Sequence, residues 1–372
     1  MEEMRFEDKM MIRAIKLARK GSGRVSPNPR VGAVIVKNGE VVSEGWHHEY
    51  GKPHAEIDAI ENAKGVDLEG AEIYVNLEPC VHTGKTPPCA PVLIEKKFSK
   101  VIIGMEDPNP LVAGKGVRML EESGIEVTKD ICNKEAKWIN RFFIKHVNTG
   151  IPYVILKVAQ SINGCIATSF GESKWITCDK SRKRSHKLRS EVDGIIIGKR
   201  TAAVDNPSLT VRDIDGVNPK RVIFDTNLSI PLNIDLFQDD FREKTIICCN
   251  FEATKTRKAD NLRMVGVNVL PIMVTDDKKN LDIENALLRL SNDYNISSVL
   301  VEGGAAIFSS FIDSPFVDEI HIFIAPMVIG SGLNAFNYYT TDYLKSANRF
   351  KIKAYSQSGD DIHIIALKKT KN

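Results

Sequence analysis

Apolar positions in the first 147 residues switch between two periods. Met10, Met11, Ala14, Ile15 and Ala18 recur at helical spacing, and Gly21 closes that helix. The stretch 31–45, VGAVIVK-NG-EVVSEG, predicts two strands turned by Asn38-Gly39, since a two-residue hairpin needs positive φ at both central positions. Helix 54–64, strand 72–77, helix 91–97, strand 100–105, helix 115–124 and strand 125–129 follow, and 133–148 predicts one further helix. Strands alternating with short helices imply a sheet covered by helices on both faces. The pattern stops at Thr149-Gly150-Ile151-Pro152, a Gly-x-Pro junction.

A second α/β pattern starts at 153. YVILKVAQS (153–161) predicts a strand, and 179–192 a helix with Asp179 as its N-cap. Segments 194–198, 221–226, 244–249 and 298–304 are short apolar strands of the kind buried on both faces. A helix at 305–314 follows directly, and 317–330 and 351–369 predict strands, the latter folding at Ser358-Gly359-Asp360-Asp361. The chain of 372 residues is long enough for two or three domains; the pattern supports two, at 1–147 and 148–372.

Composition narrows the class without naming it. A hydrophobic share of 42% with 27% charged residues excludes disordered, collagenous and coiled-coil chains. No apolar run approaches the roughly 20 residues of a membrane span, and MEEMRFEDKMM lacks the features of a signal or transit peptide. A net charge of +3 argues against nucleic acid or an anionic membrane as partner. The seven cysteines are odd in number, with two adjacent, so reduced thiols in a cytoplasmic protein are expected. That frees Cys80 and Cys89 for metal.

Pro53-His54-Ala55-Glu56, followed by Pro79-Cys80, eight residues and Cys89, is the most specific signal. One imidazole and two thiolates suit a tetrahedral Zn²⁺ whose fourth position is left to water, the catalytic rather than structural arrangement. Bound zinc brings the pKa of that water toward neutrality. Glu56, two residues past the histidine, is placed to move protons between that water, a ring nitrogen and departing ammonia. Zinc nucleobase deaminases carry His-x-Glu and Pro-Cys-x-x-Cys; here every chemical element is kept, with wider cysteine spacing. The insertion VHTGKTPP, with His82 and Lys85, reads equally as a substrate-contacting lid or as an exposed polar loop.

In order along residues 8 to 365, GSGRVSPNPRVGAVIV, GWHHEYGKPHAE, LEPCVHTGKTPPC, DPNP, LKVAQSINGCIA, GESKWIT, AVDNPSLTVR and LVEGGAAIFSSF resemble one family. It is the bifunctional riboflavin-biosynthesis family, a diaminohydroxyphosphoribosylaminopyrimidine deaminase fused to a 5-amino-6-(5-phosphoribosylamino)uracil reductase. The eight-residue cysteine spacing is the pattern of that family. The resemblance implies a cytidine-deaminase-like α/β/α sandwich followed by a dihydrofolate-reductase-like α/β domain. It implies zinc on His54, Cys80 and Cys89, proton transfer by Glu56, and a deaminase pocket lined by Asn28, His47, His82, Lys85 and Asp107. It also implies small phosphoribosyl pyrimidines as substrates and a homo-oligomer, dimer or tetramer.

In the second domain no Gly-x-Gly-x-x-Gly follows a strand, so a Rossmann site is not supported. Instead a buried strand, Gly303-Gly304 and a helix form a junction whose backbone N–H groups can approach phosphate. By the resemblance this is the NADPH pyrophosphate site, with Gly304, Ala305, Ala306, Ile307, Phe308, Ser309 and Ser310 on the cofactor and Glu302 on the substrate side. Ala159, Trp175, Thr201, Asp205 and Thr226 match further cofactor contacts, and Ser173, Arg189, Leu209 and Arg212 substrate contacts. Arginines suit a phosphoribosyl ligand because they offer two parallel donors. Lys157, inside an apolar strand, is expected to point into the site, since an unpaired buried ammonium is costly. One departure is Asn163 in Ser161-Ile162-Asn163-Gly164, where the family usually has Asp; a turn role is favoured.

Overall fold

A computed structural model describes residues 4–110 and 112–369. The chain divides into two compact units, Met1–Gly150 and Ile151–Asn372.

The first unit runs α1 (Phe6–Ala18), β1 (Gly32–Lys37), β2 (Glu40–Trp46), α2 (Ala55–Asn62), β3 (Glu72–Val75), α3 (Cys89–Glu95), β4 (Lys100–Ile103), α4 (Lys115–Glu122), β5 (Glu126–Thr128), α5 (Asn133–Ile139) and α6 (Arg141–Thr149). Its five strands order as β2-β1-β3-β4-β5. The β1–β2 hairpin turns at Asn38 (φ 53°) and Gly39 (φ 79°), as a primed turn requires. The remaining strands, β3, β4 and β5, are parallel.

Two glycines let helices lie directly on this sheet. A Cβ on Gly32 would come within 2.2 Å of the Ala14 carbonyl in α1, and one on Gly45 within 2.3 Å of the Ala59 nitrogen in α2. Gly45 pairs with Ala33, the neighbour of Gly32, so the pleat sends the two contacts to opposite faces. The expected helix over 133–148 is instead two, broken at Asn140. Its buried amide accepts the Arg30 N–H at 2.8 Å and donates to the Arg30 carbonyl at 3.1 Å, a tertiary demand that outweighs helical continuity.

The second unit contains β6 (Tyr153–Ser161), β7 (Cys165–Ala167), α7 (Asp179–Arg189), β8 (Gly194–Gly198), α8 (Lys199–Asp205), β9 (Lys220–Phe224), β10 (Thr245–Cys249), α9 (Arg257–Met264), β11 (Asn268–Pro271), α10 (Ile283–Tyr294), β12 (Ser298–Val301), α11 (Ala305–Asp313), β13 (Val317–Ala325), β14 (Leu333–Asn334), β15 (Phe350–Ser358) and β16 (Asp361–Lys368). Nine strands order as β11-β10-β9-β8-β12-β6-β13-β16-β15, parallel as far as β13 and antiparallel beyond it. The parallel strands are the predicted apolar runs: Ile195, Ile196, Val222, Ile223, Ile246, Ile247, Val299 and Leu300 are all fully buried. Asp179 is the first residue of α7, with Cys178 at the capping position; its carboxylate pairs with Arg182 instead. Among the described residues no helix is long and apolar enough to cross a membrane.

One buried cation holds a long connection to this sheet. Arg221 on β9 is 1% exposed, and donates to Thr245 Oγ1 (2.9 Å), the Leu236 carbonyl (3.0 Å) and Asp239 Oδ1 (2.8 Å). Arg221→Ala strands those acceptors and should lower the stability of this unit by about 3 kcal/mol, the lower end for a broken buried pair because Asp239 keeps some water. Urea denaturation measures it. A loss below about 1 kcal/mol would rank the pair with surface bridges.

Candidate functional site

In the first unit, three side chains converge from three chain segments. His54 precedes α2, Cys80 lies on the loop leaving β3, and Cys89 opens α3; their ligand atoms lie within 4.8 Å of one another. His54 Nδ1 is 3.6 Å from Cys80 Sγ and 3.4 Å from Cys89 Sγ. Its Nε2 lies 3.1 Å from the Thr86 hydroxyl, so Nδ1 is the nitrogen turned to the thiols. A hydrogen bond from the Cys89 thiol, helped by the Cys89 N–H at 3.4 Å and by His54, pulls Cys80 down to about 4. One thiolate is thus already stabilised where a cation would sit. A borderline-soft donor set of one imidazole and two sulfurs with room for a further ligand fits Zn²⁺.

Glu56, on the first turn of α2, is 3% exposed, and burial pushes its carboxyl up to about 7. His47 lies beyond it, its ring 5.4 Å from that of His54. Its Nδ1 is 2.9 Å from the Pro53 carbonyl, which can only accept, so Nδ1 carries the proton and Nε2 accepts from Asn28 Nδ2 at 3.2 Å. Burial lowers the His47 pKa and keeps the ring neutral. The strap bearing Asn28 is fixed at Arg30, whose carbonyl accepts from buried Asn76 at 3.0 Å as well as from Asn140.

Asp107 follows β4 and is 8% exposed; burial raises its carboxyl to about 6. His82 and Lys85 are exposed on the insertion, with Lys85 Nζ 4.1 Å above the Tyr50 ring. Two residues the sequence reading passed over belong here. Thr86 sits in the same insertion and fixes the zinc-facing histidine, and buried Glu78 accepts four backbone N–H groups.

The second unit has a cleft of about 1000 Å³. It is lined by the six expected substrate residues, Lys157, Ser173, Arg189, Leu209, Arg212 and Glu302. Of the expected cofactor residues, Ala159, Trp175, Thr201, Asp205, Thr226, Gly304, Ala305, Ala306, Ile307, Phe308 and Ser310 also line it. Ser309 does not: one position further round α11, its hydroxyl accepts the Tyr338 N–H at 3.1 Å, behind the wall. Asn163 is likewise outside the cleft lining.

Arg189 grips Glu302 with two donors, at 2.7 and 2.9 Å, and Lys157 Nζ lies 3.8 Å from the same carboxylate. Burial alone would raise Glu302; Arg189 and then Lys157 bring it down to about 2. Lys157 is lowered by burial. The start of α11 has no side-chain cap, and the Gly304 N–H donates to Thr201 Oγ1 at 3.0 Å. A Cβ on Gly303 would lie 2.6 Å from the Ile307 side chain, so this position is tight for any larger residue. An uncapped helix start reached through two glycines fits the phosphates of a dinucleotide. Leu209 holds φ 53°, a conformation costly for a leucine and of the kind found where a loop is shaped for a ligand. His186, buried beside this loop, accepts the Arg212 N–H at 3.2 Å and was not foreseen.

A zinc-ligand triad beside a buried glutamate, and a cleft with a dinucleotide-fitting helix start beside an Arg–Glu–Lys cluster, define a deaminase joined to a reductase. Residues 4–105 match the cytidine and deoxycytidylate deaminase zinc-binding region, and residues 152–364 match the RibD C-terminal domain. The riboflavin biosynthesis protein RibD of Bacillus amyloliquefaciens is 40% identical over 98% of this chain and 97% of its own. The solved structure of Acinetobacter baumannii RibD aligns with TM-score 0.88 at 36% identity, over 99% of this chain and 100% of its own. A Thermotoga maritima diaminohydroxyphosphoribosylaminopyrimidine deaminase/5-amino-6-(5-phosphoribosylamino)uracil reductase aligns with TM-score 0.87 at 38% identity, over 98% and 99%. The chain belongs to the RibD family of bifunctional deaminase/reductases. Its cofactors are zinc in the first half and NADPH in the second.

Thr86→Val removes the hydroxyl that orients His54 while keeping its shape. Partners of this kind contribute about 10- to 100-fold to metal affinity. The zinc dissociation constant should rise by about tenfold in a chelator competition; an unchanged value would show that the ring is fixed by packing alone.

Proposed function

We propose that the chain acts twice on one phosphoribosyl pyrimidine. Residues 1–147 hydrolyse the 2-amino group of 2,5-diamino-6-(5-phosphoribosylamino)pyrimidin-4(3H)-one. Residues 148–372 then reduce the ribosyl group of 5-amino-6-(5-phosphoribosylamino)uracil to ribityl. The observation that carries the reading is the convergence of His54, Cys80 and Cys89 beside buried Glu56, on the same chain as the Glu302–Arg189–Lys157 cleft.

Zinc, when bound, supplies an acidified water as nucleophile. Glu56, in a pocket that shields it from solvent, is placed to carry the water's first proton to the ring nitrogen and the second, from the hydroxyl left on the ring carbon, to the amine, which leaves as ammonia when its C–N bond breaks. Thr86 keeps the metal-facing edge of His54 turned inward. His47 orients the Asn28 amide, leaving its Oδ1 to accept from a substrate N–H or O–H. Asp107 accepts from the pyrimidine edge, and exposed Lys85 and His82 meet the phosphoribosyl end.

In the second cleft NADPH supplies the hydride. The ribosylamine opens as the C1′–O4′ bond breaks: the nitrogen lone pair forms a C1′=N⁺ iminium that keeps its N–H, and O4′ takes a proton from Lys157. Burial makes that ammonium a better acid, and Glu302 holds it in place. A hydride supplied to C1′ would return the C=N electrons to nitrogen as the amine lone pair, and Lys157 regains its proton from water. Arg189 is committed to Glu302, whereas Arg212, exposed in the cleft and steadied by the Ser208 and Thr210 hydroxyls, is placed to anchor phosphate.

The assembly is a homo-oligomer and the setting cytoplasmic, which keeps Cys80 and Cys89 reduced. At the end of the nine-stranded sheet, Ile352 (61% exposed), Tyr355 (78%) and Ile362 (49%) share one face of the β15–β16 hairpin, an apolar edge of the kind monomers avoid. An I352K/Y355K variant should sediment as a smaller species than wild type; an unchanged sedimentation coefficient removes this face from the interface.

A split assay tests the two-site reading. Cys80→Ser should abolish ammonia release while NADPH oxidation on the deaminated compound continues. Loss of both in a folded protein would refute separate sites. Glu56→Gln should keep zinc and lose about 10²- to 10⁴-fold in deamination; retained turnover takes Glu56 out of the proton path.

A further inference from the structure

We propose that Glu78 is a positioning residue of the deaminase, a buried carboxylate that locks the loop bearing Asp107 onto the turn bearing Cys80. The proposal rests on the reading of Asp107 as a substrate contact.

Glu78 lies two residues before Cys80 and is 3% exposed; its own N–H donates to the Met105 carbonyl at 3.0 Å. Its Oε2 accepts the N–H of Asp107 at 3.1 Å and of Gly114 at 3.0 Å. Its Oε1 accepts the N–H of Gly116 at 2.9 Å and of Val117 at 3.2 Å. A carboxylate offers about four acceptor positions, and here all are taken by backbone. Glu78 therefore has nothing left for metal, water or substrate, and its effect on the reaction must pass through what it holds.

What it holds is specific. One oxygen closes the loop 107–114 by binding its first and last N–H groups; the other caps α4. Gly114, at the capping position of α4, has φ 73° and no side chain, so the cap comes from a remote segment. A Cβ on Gly116 would lie 2.2 Å from the Pro79 carbonyl, so the start of α4 touches the residue beside Cys80 directly. Asp107 has its N–H on Glu78 and its Oδ1 accepting from Asn109 N at 2.8 Å, which leaves Oδ2 aimed by this arrangement. The metal turn and the Asp107 loop are thus held together by the Glu78 carboxylate, with its backbone bond to Met105 and the Pro79–Gly116 contact beside it.

Glu78→Gln preserves size but turns an NH₂ toward two backbone donors, so one half of the clamp must release. A mispositioned Asp107 weakens binding of ground state and transition state alike, which raises KM rather than lowering kcat. Steady-state ammonia release on full-length protein, with zinc content and NADPH oxidation measured on the same samples, tests this. In Glu78→Gln, KM should rise on the order of tenfold with kcat within about threefold, and zinc and NADPH oxidation should stay at wild-type levels. Glu78→Asp, which keeps the charge, should restore part of the KM. Asp107→Ala should raise KM, and the double variant should be no worse than Asp107→Ala alone. Multiplying effects in the double variant, or a wild-type KM in Glu78→Gln, overturns the proposal. So does loss of zinc with unchanged KM in both Glu78 variants, which would make the residue only a scaffold for the metal turn. A wild-type KM in Asp107→Ala alone instead refutes the substrate-contact reading, and the proposal falls with it.

Discussion

A charge removed from water must be met by charge or by hydrogen bonds, and this constraint organises both units. Arg221 is met by Asp239, Thr245 and a carbonyl, and Asp193 by the N–H and hydroxyl groups of Ser297 and Ser298. Among the described residues no buried side-chain nitrogen or oxygen lacks a partner. Two buried groups of the candidate sites are shifted from their ordinary titration ranges. Glu56 is driven toward its neutral form by burial, and Lys157 shares with Arg189 a carboxylate that Arg189 already grips at shorter distance. Perturbation by burial beside a specific partner is what proton-transfer groups require.

Both units place these groups by the same device. Parallel strands end in loops at their carboxyl edge, where ligands of open α/β sheets gather. In the first unit Cys80 leaves β3 and Asp107 leaves β4; in the second, Glu302 and Gly303 leave β12, and Thr226 follows β9. The helices that return from these loops present their N-terminal N–H groups to the same edge. Cys89 at the start of α3 holds the Cys80 sulfur in this way, and the start of α11 carries no side-chain cap. The rigid sheet supplies the spacing and the loops supply the chemistry.

What could be read without coordinates was what depends on local pattern. The Asn38-Gly39 turn, the buried runs around Ile196 and Val299, and the His-x-Glu and Pro-Cys spacing are set within a few residues, so composition and period report them. What escaped depends on partners far along the chain. Asn140 breaks a helix because of Arg30, 110 residues away, and Thr86 acts on His54 across 32 residues. Glu78 stands next to Pro79-Cys80 in the chain, yet its bonds reach 29 to 39 residues ahead. Ser309 was grouped with its neighbours, but helical phase turns it away from the cleft that Phe308 and Ser310 line. The segment 250–297 forms α9, β11 and α10, elements that the sequence pattern described above does not include.

Asn163 shows how a departure from a family pattern can be weighed on geometry. Its Oδ1 accepts the Ser161 hydroxyl at 2.7 Å and the Ile329 N–H at 3.1 Å, while its Nδ2 donates to the Ile329 carbonyl. The amide thus reproduces the donor-and-acceptor pair of a strand residue, and ties the turn after β6 to the segment before β14. A carboxylate could accept both bonds but could not make the donation, so in this chain the amide suits the tie better than the acid would. The residue stands outside the cleft wall, and the charged work there is already divided among Glu302, Arg189 and Lys157. The Asn163 amide therefore holds the β6 turn to the segment before β14 from outside the cleft lining.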